Sequence, residues 1–284
     1  MRHPALLALC LGATILAGCQ KASDAEVNRA IKSVNVIDES NLSDIMLTVA
    51  DPNEAVAYFS KTAAENPDRI DLRRGLAKSL IRAKKPAEAS GVWLQVLSMP
   101  GANNEDRVEY ADALIRSNEW TRAEAELNKI PPTHETFLRY KLEAMVADSN
   151  KSWERADSFY EIAAGMTTKP ASIYNNWGYS KLTRGDFKGA ERLFLDALTY
   201  DPKLFTAKNN LVLARGAQRK YDMPVIQLTQ TERAQLLHTM ALAAIKHGDV
   251  RIGKGLLQEA VDTHPQHFEA AARSLAALDG NVTN

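Results

Sequence analysis

Three groups of polar residues have the types and spacing to do chemistry. Arg74, Lys78 and Arg82 follow one another at four-residue intervals, which lines them up as a basic stripe along one helix face. Glu105, Glu109 and Asp112, with Arg116 after them, form an acidic stripe farther along. Asn175-Asn176 and Asn209-Asn210 stand 34 residues apart, near Tyr179. A primary amide both donates and accepts a hydrogen bond. The charged stripes also fit a plainer reading, a solvated face with ion pairs of about 0–1 kcal/mol each between neighbouring helices. His264, His267 and Glu269 lie close in sequence and hint at a metal, but they surround Pro265 at a helix boundary and read as solvated polar residues. There is no Gly-x-Ser-x-Gly, phosphate loop, His-Glu-x-x-His or paired Cys-x-x-Cys. Recognition is therefore the expected chemistry, with no catalytic residue, no cofactor, no metal and no small-molecule substrate.

The elements that must position these residues announce themselves by a period. Alanines recur at Ala55, Ala89, Ala123, Ala156 and Ala190, spaced 34, 34, 33 and 34 residues apart. Four residues after each comes a bulky group: Phe59, Trp93, Leu127, Tyr160 and Phe194. One copy runs from Ala171 to Leu204. Tyr174, Trp177 and Gly178 fill aromatic, large and small slots of a first helix, and Gly185-Asp186-Phe187 makes the turn. Ala190, Phe194, Ala197 and Pro202 complete a second helix and its exit, proline being unable to continue a helix. Lys181 holds a slot where an aromatic is usual, and its stem is expected to cover apolar surface. Trp120 and Trp153 share the turn-aromatic slot of Phe187.

This period and pattern resemble the tetratricopeptide repeat (TPR), a helix–turn–helix unit of 34 residues. The resemblance implies an all-α solenoid over residues 36–284, with about six to seven stacked antiparallel hairpins and a C-terminal capping helix. It also implies that the first helix of each unit lines a concave groove that grips partner segments. The repeat phase puts the two charged stripes and both asparagine pairs with Tyr179 on that face. The sixth block is damaged: Pro224 falls where the alanine belongs, so Tyr221 to Thr229 is expected to be a loop or shortened helix. A seventh unit opens at Thr231 and Glu232, turns at Gly248-Asp249, and continues through Gly253, Leu257, Ala260 and Pro265. Phe268 to Leu278 reads as the cap, and Asp279 to Asn284 as a frayed end.

The first residues differ from the rest. Arg2 and His3 precede an apolar stretch from Ala5 to Ala17, the build of a secretory signal peptide at 1–18. It ends in Leu16-Ala17-Gly18-Cys19, which resembles the bacterial lipobox. That resemblance implies cleavage before Cys19, lipid on its thiol, and a tether at 19–35. Gln20, rather than aspartate, favours the outer membrane over the inner by resemblance to enterobacterial sorting, with the protein facing the periplasm. Cys10 leaves with the signal, so no disulfide within one chain is expected. Lysine plus arginine number 35 and so do aspartate plus glutamate, which leaves no basic excess to attract nucleic acid. A lipobox, this length and a chain filled with such repeats resemble TadD, the lipoprotein family of tight-adherence (Flp) pilus assembly. Membership would imply help in placing the secretin of a pilus machine. A type IV pilotin-like protein, or an adaptor for β-barrel assembly or envelope proteases, would use the same parts.

Overall fold

The computed structural model describes residues 42–280. The expected signal peptide at 1–18, Cys19, Gln20, the expected tether at 19–35 and residues 281–284 lie outside the described residues. Within them the chain is helical, with no strand: α1 (42–48), α2 (Pro52–Glu65), α3 (Ile70–Arg82), α4 (Pro86–Leu97), α5 (Asn104–Arg116), α6 (Trp120–Leu127) and α7 (Phe137–Ser149). Then come α8 (Trp153–Gly165), α9 (Ala171–Thr183), α10 (Phe187–Tyr200), α11 (Phe205–Ala217), α12 (Gln230–Lys246), α13 (Val250–Thr263) and α14 (Glu269–Gly280). None of these helices is long and apolar enough to cross a membrane.

Local sequence sets the helix starts. Asp51 caps α2 by accepting from the Asn53 and Glu54 amides, with Pro52 at the first position where no donor is needed. Asn103 and Asp106 form a reciprocal capping box on α5, and Thr229 and Glu232 form another on α12. Helix α12 therefore begins at Gln230, a residue ahead of the expected opening at Thr231. Asp186 accepts from the Gly189 amide at the start of α10.

The helices stack in chain order, each against the next. The recurring alanines are fully enclosed: Ala55, Ala89, Ala123, Ala156 and Ala190 expose none of their surface. Their bulky companions Phe59, Trp93, Leu127, Tyr160 and Phe194 are buried with them. Small residues sit where backbones come closest. A Cβ on Gly178 would lie 2.7 Å from the Phe194 ring, and one on Gly75 would lie 2.4 Å from Phe59. Pro202 follows the end of α10 and is exposed.

A second period appears only in the backbone. Lys84, Asn118, Lys151, Gly185, Arg219 and Gly248 all have positive φ. They are spaced 34, 33, 34, 34 and then 29 residues apart, each just after the first helix of a unit from α3 to α12. The short last interval locates the damage in the sixth block. Tyr221 to Thr229 forms a loop in place of a second helix. Met223, Ile226 and Leu228 from it pack on the flanking clusters and fill the space the helix would have occupied. The seventh hairpin, α12–α13, is sealed by α14 through Phe268, Ala271 and Leu275, the closure that a solenoid end requires.

The turn conformation favours glycine and disfavours a side chain by about 1 kcal/mol. The side chains of Lys84 and Lys151 are exposed and bond to no described residue. Lys84→Gly and Lys151→Gly are therefore expected to raise stability by about 1 kcal/mol each, read as a higher urea midpoint at unchanged slope.

Candidate functional site

The first helices of the later units enclose a cavity of about 520 Å³. Asn175, Asn176, Tyr179 and Thr183 on α9 form one wall, facing Met145 and Ser149 of α7 and Thr206 and Asn210 of α11. Trp120 and Trp153 close one end. A further cavity of about 460 Å³ lies along α11 and α12, lined by Leu213, Thr239, Leu242 and Lys246, with Phe187 at the turn.

The asparagines do not behave alike. Asn210 donates to the Asn175 side-chain oxygen at 3.1 Å, tying α11 to α9. Asn209 accepts from the Thr239 hydroxyl at 2.9 Å and so faces α12 rather than the larger cavity. Asn176 lines that cavity, partly buried, and its side chain makes no hydrogen bond with a described residue. Tyr179 stands beside it with 54% of its surface exposed. Asn176 and Tyr179 therefore hold free hydrogen-bonding capacity and apolar surface at one place.

Beneath them lies Asp148, which accepts from the Ser180 hydroxyl at 2.6 Å and the Tyr160 hydroxyl at 2.8 Å. Burial pushes the Asp148 carboxyl above the usual carboxylate range, outweighing those two bonds and the field of Arg184. The Tyr160 phenol is raised by burial and by Asp148 beside it. Asp157 behaves the opposite way. Burial opposes its charge, but bonds from Lys181, Trp177 and Arg184 hold its pKa below the ordinary value. Those three donors lie at 2.9, 2.6 and 2.5 Å, clamping α8 to α9. Lys181 thus answers Asp157, and Asp186 at 3.6 Å, where an aromatic was the usual occupant.

The charged stripes are matched within the molecule. Arg74 forms a bidentate pair with Asp106 of the next unit, at 2.6 and 2.7 Å, and donates to the Gly101 carbonyl. The Asp106 bond raises the Arg74 pKa. Arg82 reaches back to the Met46 and Ala50 carbonyls. Lys78 approaches Glu109 at 3.5 Å, Glu105 approaches His134 at 3.2 Å, and Asp112 pairs with Arg116 at 2.5 Å. Burial raises the Glu109 pKa, with Asp112 and Glu105 adding to the effect against Lys78. These contacts follow the plainer of the two readings of the stripes; the Arg74–Asp106 and Lys78–Glu109 pairs join α3 to α5, and the Asp112–Arg116 pair lies within α5.

His264 stacks on Phe268 with centroids 5.0 Å apart, and His267 pairs with Glu269 at the surface. Among the described residues no three histidine, cysteine, aspartate or glutamate side chains group as a metal site. Sequence reasoning missed Met145, Asp148, Trp120 and Trp153 as cavity residues. The two tryptophans had a signal: with Phe187 they recur at intervals of 33 and 34 residues, at one phase beside the groove.

No protein-family model matches the chain, and no curated protein matches it. Solved structures do. An APC/C hetero-tetramer superposes with a TM-score of 0.58 at 15% identity, over 80% of this chain. The chain spans only 46% of the length of that neighbour. The C-terminal part of a TPR repeat-containing protein from Cytophaga hutchinsonii gives 0.52 at 14% identity, covering 81% of this chain and 97% of that one. PilW, described as a widely conserved type IV pilus biogenesis factor, gives 0.53 at 15% identity, over 82% and 98% of the two chains. Such identities speak to fold, and the fold is a TPR solenoid.

Proposed function

We propose that this protein is a lipid-tethered TPR adaptor that holds a segment of a partner protein in the groove of α7, α9 and α11. The observation that carries the reading is the cavity itself, where Asn176 has no protein partner and Tyr179 is half exposed. Groups left in that state add little to the fold, whereas a bound strand would satisfy the amide and cover the ring. The tether places the groove at a membrane surface and raises the effective concentration of its partner there. With the lipobox and the TadD resemblance, the favoured client is a secretin or another subunit of a tight-adherence pilus or secretion machine. The likeness to PilW over nearly the whole of both chains supports a second reading, in which the same adaptor serves a type IV pilus.

Alanine at Asn176, Tyr179 and Asn210 together tests the reading. Recovery of secretin with the tagged protein from solubilised membranes should fall about tenfold, the effect of losing one strong contact. Unchanged recovery at an unchanged melting temperature overturns it.

A further inference from the structure

The cavity between α7, α9 and α11 has a charge pattern that the adaptor reading does not use. Among the described residues no lysine or arginine lines it, and Asp148 is the only carboxylate that does. Asp148 makes no ion pair with any described residue; both of its bonds come from neutral hydroxyls, Ser180 and Tyr160. Arg184 acts on it from farther away, but that guanidinium bonds to Asp157 and lies over the Trp153 ring at 5.5 Å to the centroid. Most other buried or half-buried acids here have a cation of their own: Asp106 has Arg74, Glu143 has Arg155, Glu191 has Arg215 and Glu232 has Lys208. Asp148 breaks that pattern in a cavity also lined by Trp120, Trp153 and Tyr179.

We propose that this cavity is a pocket for a basic side chain, arginine or lysine, carried by the partner segment in the groove. Three features fit such a guest together. A carboxylate in the lining supplies the counter-charge, and a charge-assisted bond is about twice as strong as a neutral one. Aromatic walls take up a cation through their faces and the stem of the side chain by contact. The Asn176 amide, free on the wall, accepts a further N–H. An acidic guest would meet Asp148 with no cation to answer it. The proposal rests on the adaptor reading for the existence of a guest, and adds its charge.

The test uses the folded chain labelled with 15N at tryptophan, and three capped heptapeptides of glycine and serine with arginine, lysine or citrulline at the centre. The Trp120 and Trp153 indole signals report occupancy. Arginine and lysine peptides should shift both signals and saturate, with the isosteric but neutral citrulline peptide about tenfold weaker. Asp148→Asn should erase the difference between arginine and citrulline. Asn176→Asp, which removes no hydrogen bond of the fold, should tighten the arginine peptide and leave citrulline unchanged, so the idea stands exposed even if Asp148→Asn unfolds. Equal binding of arginine and citrulline by the parent chain overturns the cationic pocket while leaving a groove that reads backbone. No shift with any peptide overturns the pocket too, and secretin recovery then decides the adaptor reading separately.

Discussion

Phe194→Ala is expected to lower the unfolding free energy of the hairpin α9–α10 by about 3–5 kcal/mol, the range for emptying a buried aromatic site. Phe194 exposes none of its surface and packs with Ala190, Ala197, Leu211 and Ala214, so its loss leaves a void between two units. Gly178 gives the companion test. Its missing Cβ would stand 2.7 Å from the Phe194 ring, so Gly178→Ala forces the ring aside at about 1–3 kcal/mol. The two sites share one volume and cannot add. In the double variant the new methyl group occupies part of the void, and the combined loss should be smaller than the sum of the single losses. Urea unfolding followed by tryptophan emission reads all three variants. A strictly additive double variant would mean that Gly178 and Phe194 do not meet. Because a solenoid couples neighbours only, limited proteolysis should cut first near α9–α10 rather than uniformly.

The same steric logic explains what the sequence disclosed. A slot that admits only a small residue beside one that demands a large one leaves a mark every 34 residues, and Ala55 to Ala190 with Phe59 to Phe194 are that mark. The turns left a weaker one, because positive φ falls on Lys84, Asn118, Lys151 and Arg219 as well as on glycine, and side-chain type does not reveal it. The loop at Tyr221 to Thr229 was legible through Pro224, but the five-residue shortening of its unit shows only in the spacing of those turns. Charge was harder to read. Arg74 and Asp106 are 32 residues apart, and whether they meet depends on the rotation of α3 against α5, which no local pattern specifies. Asn209 and Asn210 are adjacent in sequence, yet one faces α12 and the other bonds to α9, since neighbouring helix positions diverge by about 100°. Asp148 carried no signal. An acid near a helix end is commonplace, and its isolation from cations is a property of three helices together.

Cys19→Ser should move the protein almost entirely from the membrane fraction to the soluble fraction, the largest effect proposed for any single residue. In the proposed lipobox the thiol of Cys19 would take the diacylglycerol; serine at that position keeps the shape and removes the nucleophile. Each buried methylene of an acyl chain contributes about 0.8 kcal/mol, so two or three chains give a hold that no exposed face of the solenoid replaces. No helix from residue 42 to residue 280 is long and apolar enough to cross the bilayer instead. Cys19 lies well before α1 and outside every described contact, so the melting temperature of the Cys19→Ser protein should match that of the parent. The two readouts separate anchor from fold: full solubility with an intact fold, and secretin multimers lost from the outer membrane, is the outcome that tethered capture requires. A serine variant that still sediments with membranes, or one that releases normally while secretin assembles as before, would show that the tether is not what brings the groove to its client.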